Sequence, residues 1–423
     1  MKPSRYNCTV SDREETFVFN TLTHKHIRIP TSKKEVYSQI LDNPDLYQES
    51  CGSFIDKLKS GGFIIDDATD ERELLREYWR QCKREDEYYL MVLPTYQCNL
   101  RCWYCTQEHE NIRISDGTIN TLKLNVINKL DTEAIRRFHL SWFGGEPTLE
   151  LDRIIDFTNF CRAEALKRDK HFGCSITTNG VLLDAEKIRR LHDAGVSNYQ
   201  ITIDGEKNDH DKIKVLKRQS AFEAVLANIN LIAVDSIVNL RFNYTHENLK
   251  PDRIVADLDK YLNKNIRSNV IVNLFKVWQE PEHLIDKSLV SRLFSEIRRI
   301  GLTPRLATCG MCYADQKNFE CVFPTGNIGK CDNHSPHKHY GTLEADGTMN
   351  WELNEKVNGF NPVDDESLEC HSCRYLPYCL GPCVSRREEQ MQTSNRFTCI
   401  YADRDSKMRQ NIISYCRNQE IVH

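Results

Sequence analysis

Cys98, Cys102 and Cys105 stand three and two residues apart in the run Cys98-Asn99-Leu100-Arg101-Cys102-Trp103-Tyr104-Cys105, which gathers three thiols into one compact loop. Three thiolates can hold three irons of a four-iron, four-sulfur cluster. Such clusters normally take four protein thiolates, so this loop leaves one iron open to a small-molecule ligand. A zinc loop is the plainer alternative, but zinc calls for a fourth Cys or His, and His109 is the only nearby candidate. A second concentration of thiols fills the last quarter: Cys309, Cys312, Cys321, Cys331, Cys370, Cys373, Cys379, Cys383 and Cys399. Its CxxC pair also suits a structural zinc ribbon. His334, His337 and His339 lie near Cys331 and read as a polar loop, because the thiols already complete a ligand count. Cys8, Cys51, Cys82, Cys161, Cys174 and Cys416 are scattered singly and read as buried or idle thiols, since a lone cysteine behaves as a small apolar residue.

The 18 cysteines fall in a chain of 423 residues that opens polar, with no apolar run of the kind an export signal needs. A reducing compartment, the cytoplasm, and metal or cluster ligation therefore account for them better than disulfides do. Apolar residues make up 40% of the chain but form no stretch long enough to span a bilayer. A net charge of -4, with acids and bases interspersed, offers no basic face to a nucleic acid.

Patterning places the cysteine loop. Residues 6–30 alternate polar and apolar in a hairpin, Phe17-Val18-Phe19 against His26-Ile27-Arg28-Ile29. Helical runs follow from a Ser32 cap to Leu41 and over 54–58, then a strand at 63–65, then a charged helix from Thr69 through Glu87. From Tyr88 apolar strands alternate with amphipathic helices, the mark of βα units and a parallel sheet. Strands are expected over 88–95, 139–143, 173–178, 198–203, 238–244 and 270–276, with helices from Ser115, Asp152, Asp184, Ala221 and Asp252. The periodicity fades after Thr308, as expected of a domain held by metal rather than by a broad apolar core. Trp142 and Trp351 read as packing residues.

The first cysteine group resembles the radical S-adenosylmethionine (SAM) superfamily, whose CxxxCxxC motif follows the first barrel strand and has an aromatic residue, here Tyr104, before the last cysteine. The resemblance covers about residues 88–300 and implies a partial (β/α)6 barrel, with a four-iron cluster on Cys98, Cys102 and Cys105 that chelates SAM. It also implies SAM contacts at successive strand ends: Gly144-Gly145-Glu146-Pro147 toward the SAM amino group, then Thr178 and Asn179, then Thr202 and Asp204. Relatives carry an arginine for the SAM carboxylate soon after the His-Asp that trails the fourth strand. Here His210-Asp211 is followed by Lys214. The C-terminal tract resembles the seven-cysteine SPASM domain, which implies two auxiliary four-iron clusters. Cys370, Cys373, Cys379 and Cys399 would hold the outer one; Cys331 and Cys383 would join Cys309 and Cys312 on the inner one, with Cys321 or an open iron as competitor for one place.

The expected fold class is α/β, with residues 1–87 a winged-helix-like α+β domain, 88–308 the partial barrel and 309–423 the SPASM domain. The first of these resembles, in pattern, the leader-recognition domain of peptide maturases, which binds leader peptide as an added strand. The resemblance implies an oxidoreductase that abstracts hydrogen from a ribosomal precursor peptide and forms a thioether or carbon–carbon cross-link, with flavodoxin or ferredoxin as electron donor. The alternatives are a formylglycine-forming sulfatase maturase, whose relatives start closer to their CxxxCxxC motif than the 97 residues found here, and a non-catalytic peptide-binding adaptor.

Overall fold

The computed structural model describes residues 1–12, 15–306, 310–332, 340–401 and 403–420. Cys309, Thr308, His334, His337 and His339 lie outside the described residues. The chain divides into two compact units. One comprises residues 1–84, 308–317 and 354–423, the other residues 85–307 and 318–353.

The first unit begins with three antiparallel strands, β1 (Asn7–Asp12), β2 (Glu15–Asn20) and β3 (His26–Pro30), in that order, with β1 and β3 as edges. Helices α1 (Lys34–Asp42), α2 (Gln48–Ser60) and α3 (Glu71–Lys83) follow. Alternation along β2 sends its side chains two ways. Val18 packs with Tyr37, Ile40 and Ile55 of α1 and α2, while Phe17 and Phe19 pack with Tyr378, Met408 and Ile412 from the far end of the chain. The N-terminal residues therefore share a core with the cysteine-rich tract, and the observed division differs from the one expected at 87 and 308. Ser32 lies in a 3-10 turn ahead of α1 and caps nothing. Asp70, not Thr69, caps α3 by accepting from the N–H groups of Arg72 and Glu73, and α3 ends at Lys83.

The second unit is built on a nine-stranded sheet. Its parallel strands β4 (Glu87–Val92), β5 (Arg137–Trp142), β6 (His171–Thr178), β7 (Val196–Ile203), β8 (Ile237–Tyr244) and β9 (Val270–Lys276) run side by side in sequence order. These are the six strands expected from the sequence, separated by helices that include α4 (Asp116–Leu130), α5 (Leu151–Lys167) and α6 (Ala185–Ala194). Ser115 caps α4 and Asp184 caps α6. Three strands extend the sheet beyond the expectation: β10 (Thr303–Leu306) beside β9, and β11 (Asn318–Val322) parallel to β4 with β12 (Ile328–Gly329) antiparallel on its far side. The strands are fully buried at Leu90, Leu140, Ile201 and Leu240, and Trp142 is core, as expected. Parallel strands deliver all their carboxyl ends to one edge, where open α/β sheets place ligands. Among the described residues, no helix is long and apolar enough to cross a membrane.

Candidate active site

The cysteine loop leaves the carboxyl end of β4. Its shape is fixed from below by Gly144-Gly145-Glu146, which leaves the neighbouring strand β5. Gly145 N–H donates to the Thr95 carbonyl oxygen at 3.1 Å, and Glu146 N–H to that of Gln97 at 2.7 Å. A Cβ on Gly145 would stand 2.2 Å from the Gln97 oxygen and 2.4 Å from that of Tyr96. The glycine is required because the backbone it approaches is that of the cysteine loop itself, a nearer cause than approach to a ligand.

Glu146 is fully buried. Its Oε1 accepts from the Thr148 N–H (3.0 Å), the Thr148 hydroxyl (2.6 Å) and the Thr178 hydroxyl (2.7 Å), and its Oε2 from the Asn179 N–H (2.8 Å). Burial raises its carboxyl above the usual carboxylate value, and those four donors pull it back in part. Pro147 follows as the first residue of a 3-10 turn, Pro147–Glu150. The side chain thus staples the end of β5 to the end of β6. Asn179 carries the staple to the cysteines: its Nδ2 donates to Asn99 Oδ1 at 2.8 Å and lies 3.9 Å from Cys98 Sγ.

The third support comes from the end of β7. Asp204 is fully buried; its Oδ1 accepts from the Tyr104 hydroxyl at 2.5 Å and from Asn243 Nδ2 at 3.3 Å, and its Oδ2 lies 2.9 Å from Lys214 Nζ. Asn243, near the end of β8, also donates to the Tyr104 oxygen at 3.2 Å. Burial pushes the Asp204 carboxyl up, but the Lys214 ammonium and the Tyr104 hydroxyl more than offset this, and it ends below the ordinary aspartate value. His210 is held down to about 3 by burial and by Lys214, so its ring is neutral. Its Nδ1 accepts the Asp204 N–H at 3.1 Å. Lys214, 1% exposed, has three oxygens around its ammonium: Thr202 O at 2.6 Å, Thr202 Oγ1 at 2.7 Å and Asp204 Oδ2 at 2.9 Å. In this geometry Thr202, Asp204 and Lys214 are spent on one another and on Tyr104, and so on holding the cysteine loop.

Within the loop, burial pushes the Cys98 thiol up to about 11, with Glu146 and the neighbouring Cys102 and Cys105 adding to the rise. Burial also raises Cys102 and Cys105. Three soft thiol donors in one loop are the set that fits an iron–sulfur cluster with one iron left over. His109 Nε2 lies 3.3 Å from Cys105 Sγ. Two residues without a sequence motif complete the same edge: Glu280, 8% exposed, accepts from the backbone N–H of His246 at 2.8 Å and pairs with its ring, and Gln279 donates to the Tyr104 carbonyl at 3.0 Å.

In the other unit, Cys370, Cys373, Cys379 and Cys399 line one cavity together with Glu369, Tyr375, Leu376, Gly381, Tyr401, Arg404 and Met408. Burial pushes the Cys370 thiol up to about 12, aided by Cys373 and Cys399. The four thiols surround a space. Among the described residues no three His, Cys, Asp or Glu side chains converge on a single ion. Four thiolates, one for each iron, are the set a four-iron cluster takes, and the four cysteines here match it. Cys312 and Cys383 belong to this unit, Cys331 and Cys321 to the other. Cys321 is fully buried on β11, opposite Met91 of β4. Of the cysteines read as idle, Cys8, Cys161, Cys174 and Cys416 are buried, and Cys51 and Cys82 partly so.

Residues 92–238 match the model of the Radical SAM superfamily. Fe-coproporphyrin III synthase of Methanosarcina barkeri is 27% identical over 165 residues, and the alignment covers 39% of this chain and 39% of that protein. Mycofactocin maturase MftC of Mycobacterium tuberculosis is 22% identical over 327 residues, 69% of this chain and 77% of that one. Two solved structures share the fold. One is native anSMEcpe with bound AdoMet and Kp18Cys peptide, with a TM-score of 0.58 and 18% identity, covering 79% of this chain and 99% of that one. The other is Streptococcus suis SuiB bound to precursor peptide SuiA, with a TM-score of 0.50 and 13% identity, covering 94% and 98%.

Proposed function

We propose that this chain, which carries a radical SAM domain over residues 92–238, is a peptide maturase: an oxidoreductase that modifies a ribosomally made precursor peptide. The observation that carries the reading is the cysteine loop pinned at three strand ends by Gly145, Asn179 and Asp204. Cys98, Cys102 and Cys105 would hold a four-iron cluster, and SAM would take the open iron. Bound there, they would supply a one-electron reductive cleavage of SAM that gives methionine and the means to take a hydrogen atom from substrate. The chain's own residues orient that chemistry. Glu146 joins two strand ends beneath the loop, Asn179 bridges to Asn99 beside Cys98, and the Asp204–Lys214 pair fixes the Tyr104 hydroxyl. Each is held by hydrogen bonds, so the loop is preorganised before any ligand arrives.

The substrate class rests on the N-terminal sheet. Its edge strand β3 offers main-chain groups to a leader peptide, a recognition mode in which backbone hydrogen bonds supply the affinity. Likeness to mycofactocin maturase and to SuiB bound to precursor peptide SuiA supports a precursor peptide as substrate. Loss of a hydrogen atom and then of a second electron would leave it with an intramolecular cross-link, a thioether or carbon–carbon bond. We propose auxiliary clusters in the cysteine-rich tract, the outer on Cys370, Cys373, Cys379 and Cys399, with flavodoxin or ferredoxin as donor. A second reading, a protein-oxidising maturase of the formylglycine type, is favoured by the higher TM-score to anSMEcpe. The deciding experiment incubates reduced protein, SAM and the peptide encoded beside its gene. A mass loss of 2 Da with an intramolecular link supports the cross-linking reading. Conversion of a Cys or Ser to formylglycine in a sulfatase peptide, with the neighbouring peptide untouched, supports the other.

A further inference from the structure

Arg404 is the first residue of the C-terminal helix Arg404–Glu420 and lines the cavity shared by Cys370, Cys373, Cys379 and Cys399. A cation in the first turn opposes the helix dipole, which favours acids there, so helix stability does not explain the residue. Its Nε is shut off from solvent and has no hydrogen-bond partner among the described residues. A guanidinium offers donors only, and the residues lining the cavity with it that carry acceptors are the four cysteines, Tyr375, Tyr401 and one carboxylate, Glu369. Glu369 accepts the Cys399 N–H at 3.4 Å.

We propose that Arg404 tunes the outer auxiliary cluster: its Nε–H donates to a cluster sulfur and its charge raises the cluster's reduction potential. This rests on the reading of the four-cysteine cavity as a cluster site. One-electron reduction adds one negative charge to the cluster and moves no proton. A fixed cation and an N–H···S hydrogen bond stabilise the more negative, reduced form, and net charge and hydrogen bonds to the sulfurs are the recognised controls of cluster potential. Arg404 therefore makes the outer cluster a better acceptor for an electron leaving the substrate, and Glu369 acts in the opposite sense.

The test uses the full chain carrying Cys98→Ala, Cys102→Ala and Cys105→Ala, reconstituted anaerobically and titrated potentiometrically with electron paramagnetic resonance detection. The wave lost on Cys370→Ala with Cys373→Ala identifies the outer cluster. Arg404→Gln should cut its reduced-to-oxidised ratio at fixed potential about tenfold, a shift of about 59 mV downward for one electron. Arg404→Lys, which keeps the charge without the planar fork, should fall between, and Glu369→Gln should shift the wave upward. Full iron with an unmoved midpoint in Arg404→Gln and Glu369→Gln overturns the tuning and leaves the cluster reading intact. If Arg404→Gln holds no outer cluster, opposite shifts in Arg404→Lys and Glu369→Gln sustain the proposal, and equal midpoints overturn it. Iron and spectrum unchanged by Cys370→Ala with Cys373→Ala would overturn the cluster reading and the tuning together.

Discussion

Gly145→Ala is expected to disable the cysteine loop although the residue is no ligand. The added Cβ would stand 2.2 Å from the Gln97 carbonyl oxygen and 2.4 Å from that of Tyr96, where ordinary contact begins at 3.4 Å. Both atoms are backbone, so no side chain can swing away, and the loop must retreat by about 1 Å just ahead of Cys98. Overpacking of this kind costs about 1–3 kcal/mol. Losing the bonds from Gly145 N–H to Thr95 O and from Glu146 N–H to Gln97 O adds about 1 kcal/mol each. The sum, about 3–5 kcal/mol, acts on the one geometry that binds the cluster, and a 1 Å misplacement alone costs on the order of 100-fold in rate. The assay is iron per chain after anaerobic reconstitution, together with 5'-deoxyadenosine formed on reduction with SAM. About four irons should be lost and SAM cleavage should fall at least 100-fold. Gly117→Ala is the control, since its Cβ would meet only Ser115 Oγ, at 3.5 Å. Wild-type iron and SAM cleavage within about twofold in Gly145→Ala would refute the idea that this glycine shapes the loop.

Reconstituted protein should bind about twelve irons, falling to about eight in Cys98→Ala/Cys102→Ala/Cys105→Ala. Zinc in the C-terminal tract with iron near four would sink the auxiliary clusters. Lys214→Met leaves Asp204 buried without its cation and should cost about 3–5 kcal/mol, whereas Lys214→Met with Asp204→Asn should recover much of it; equal losses by chemical denaturation would deny the pair its role. His210 holds its proton less tightly folded than unfolded, so its stabilising effect is complete above pH 6.5 and fades as pH drops toward about 3. Between pH 7.5 and 5 the wild type should therefore lose about 2 kcal/mol more than His210→Asn, and parallel pH profiles would contradict this. Removing residues 1–87 would strip a core shared with Tyr378, Met408 and Ile412. Proline scanning of β3, with leader binding by fluorescence polarisation, is the cleaner test of strand addition. Binding should fall at alternate positions, and a flat scan with every variant folded would remove that role from the sheet.

The central strands were legible because a buried parallel strand and an amphipathic helix carry different periods, and Ser115 and Asp184 announce their helices by capping them. Thr303–Leu306, at one edge of the sheet, and Asn318–Val322, one strand in from the other, were not, since such short strands draw their stability from a distant partner rather than from their own pattern. The same holds for Phe17 and Phe19, whose partners lie more than 350 residues away. At the site, the cysteine loop stands out by its spacing, and Gly145 and Glu146 enter through the family resemblance. Asn99, Asn243, Gln279 and the His246–Glu280 pair have no motif and act through contacts that exist only once strand ends are assembled. Lys214 was found by position, but the structure gives it Thr202 and Asp204 as partners, a consequence of burial that spacing does not reveal.

The most direct measurement is SAM cleavage by anaerobically reconstituted, dithionite-reduced protein, followed as 5'-deoxyadenosine and methionine, with Cys98→Ala/Cys102→Ala/Cys105→Ala alongside. The wild type should form the two products in equal amounts, and the triple variant neither, while its remaining iron stays bound. Absence of both products from the wild type with its iron in place, or cleavage that survives in the triple variant, would contradict the assignment of the cysteine loop as the centre of this protein's chemistry.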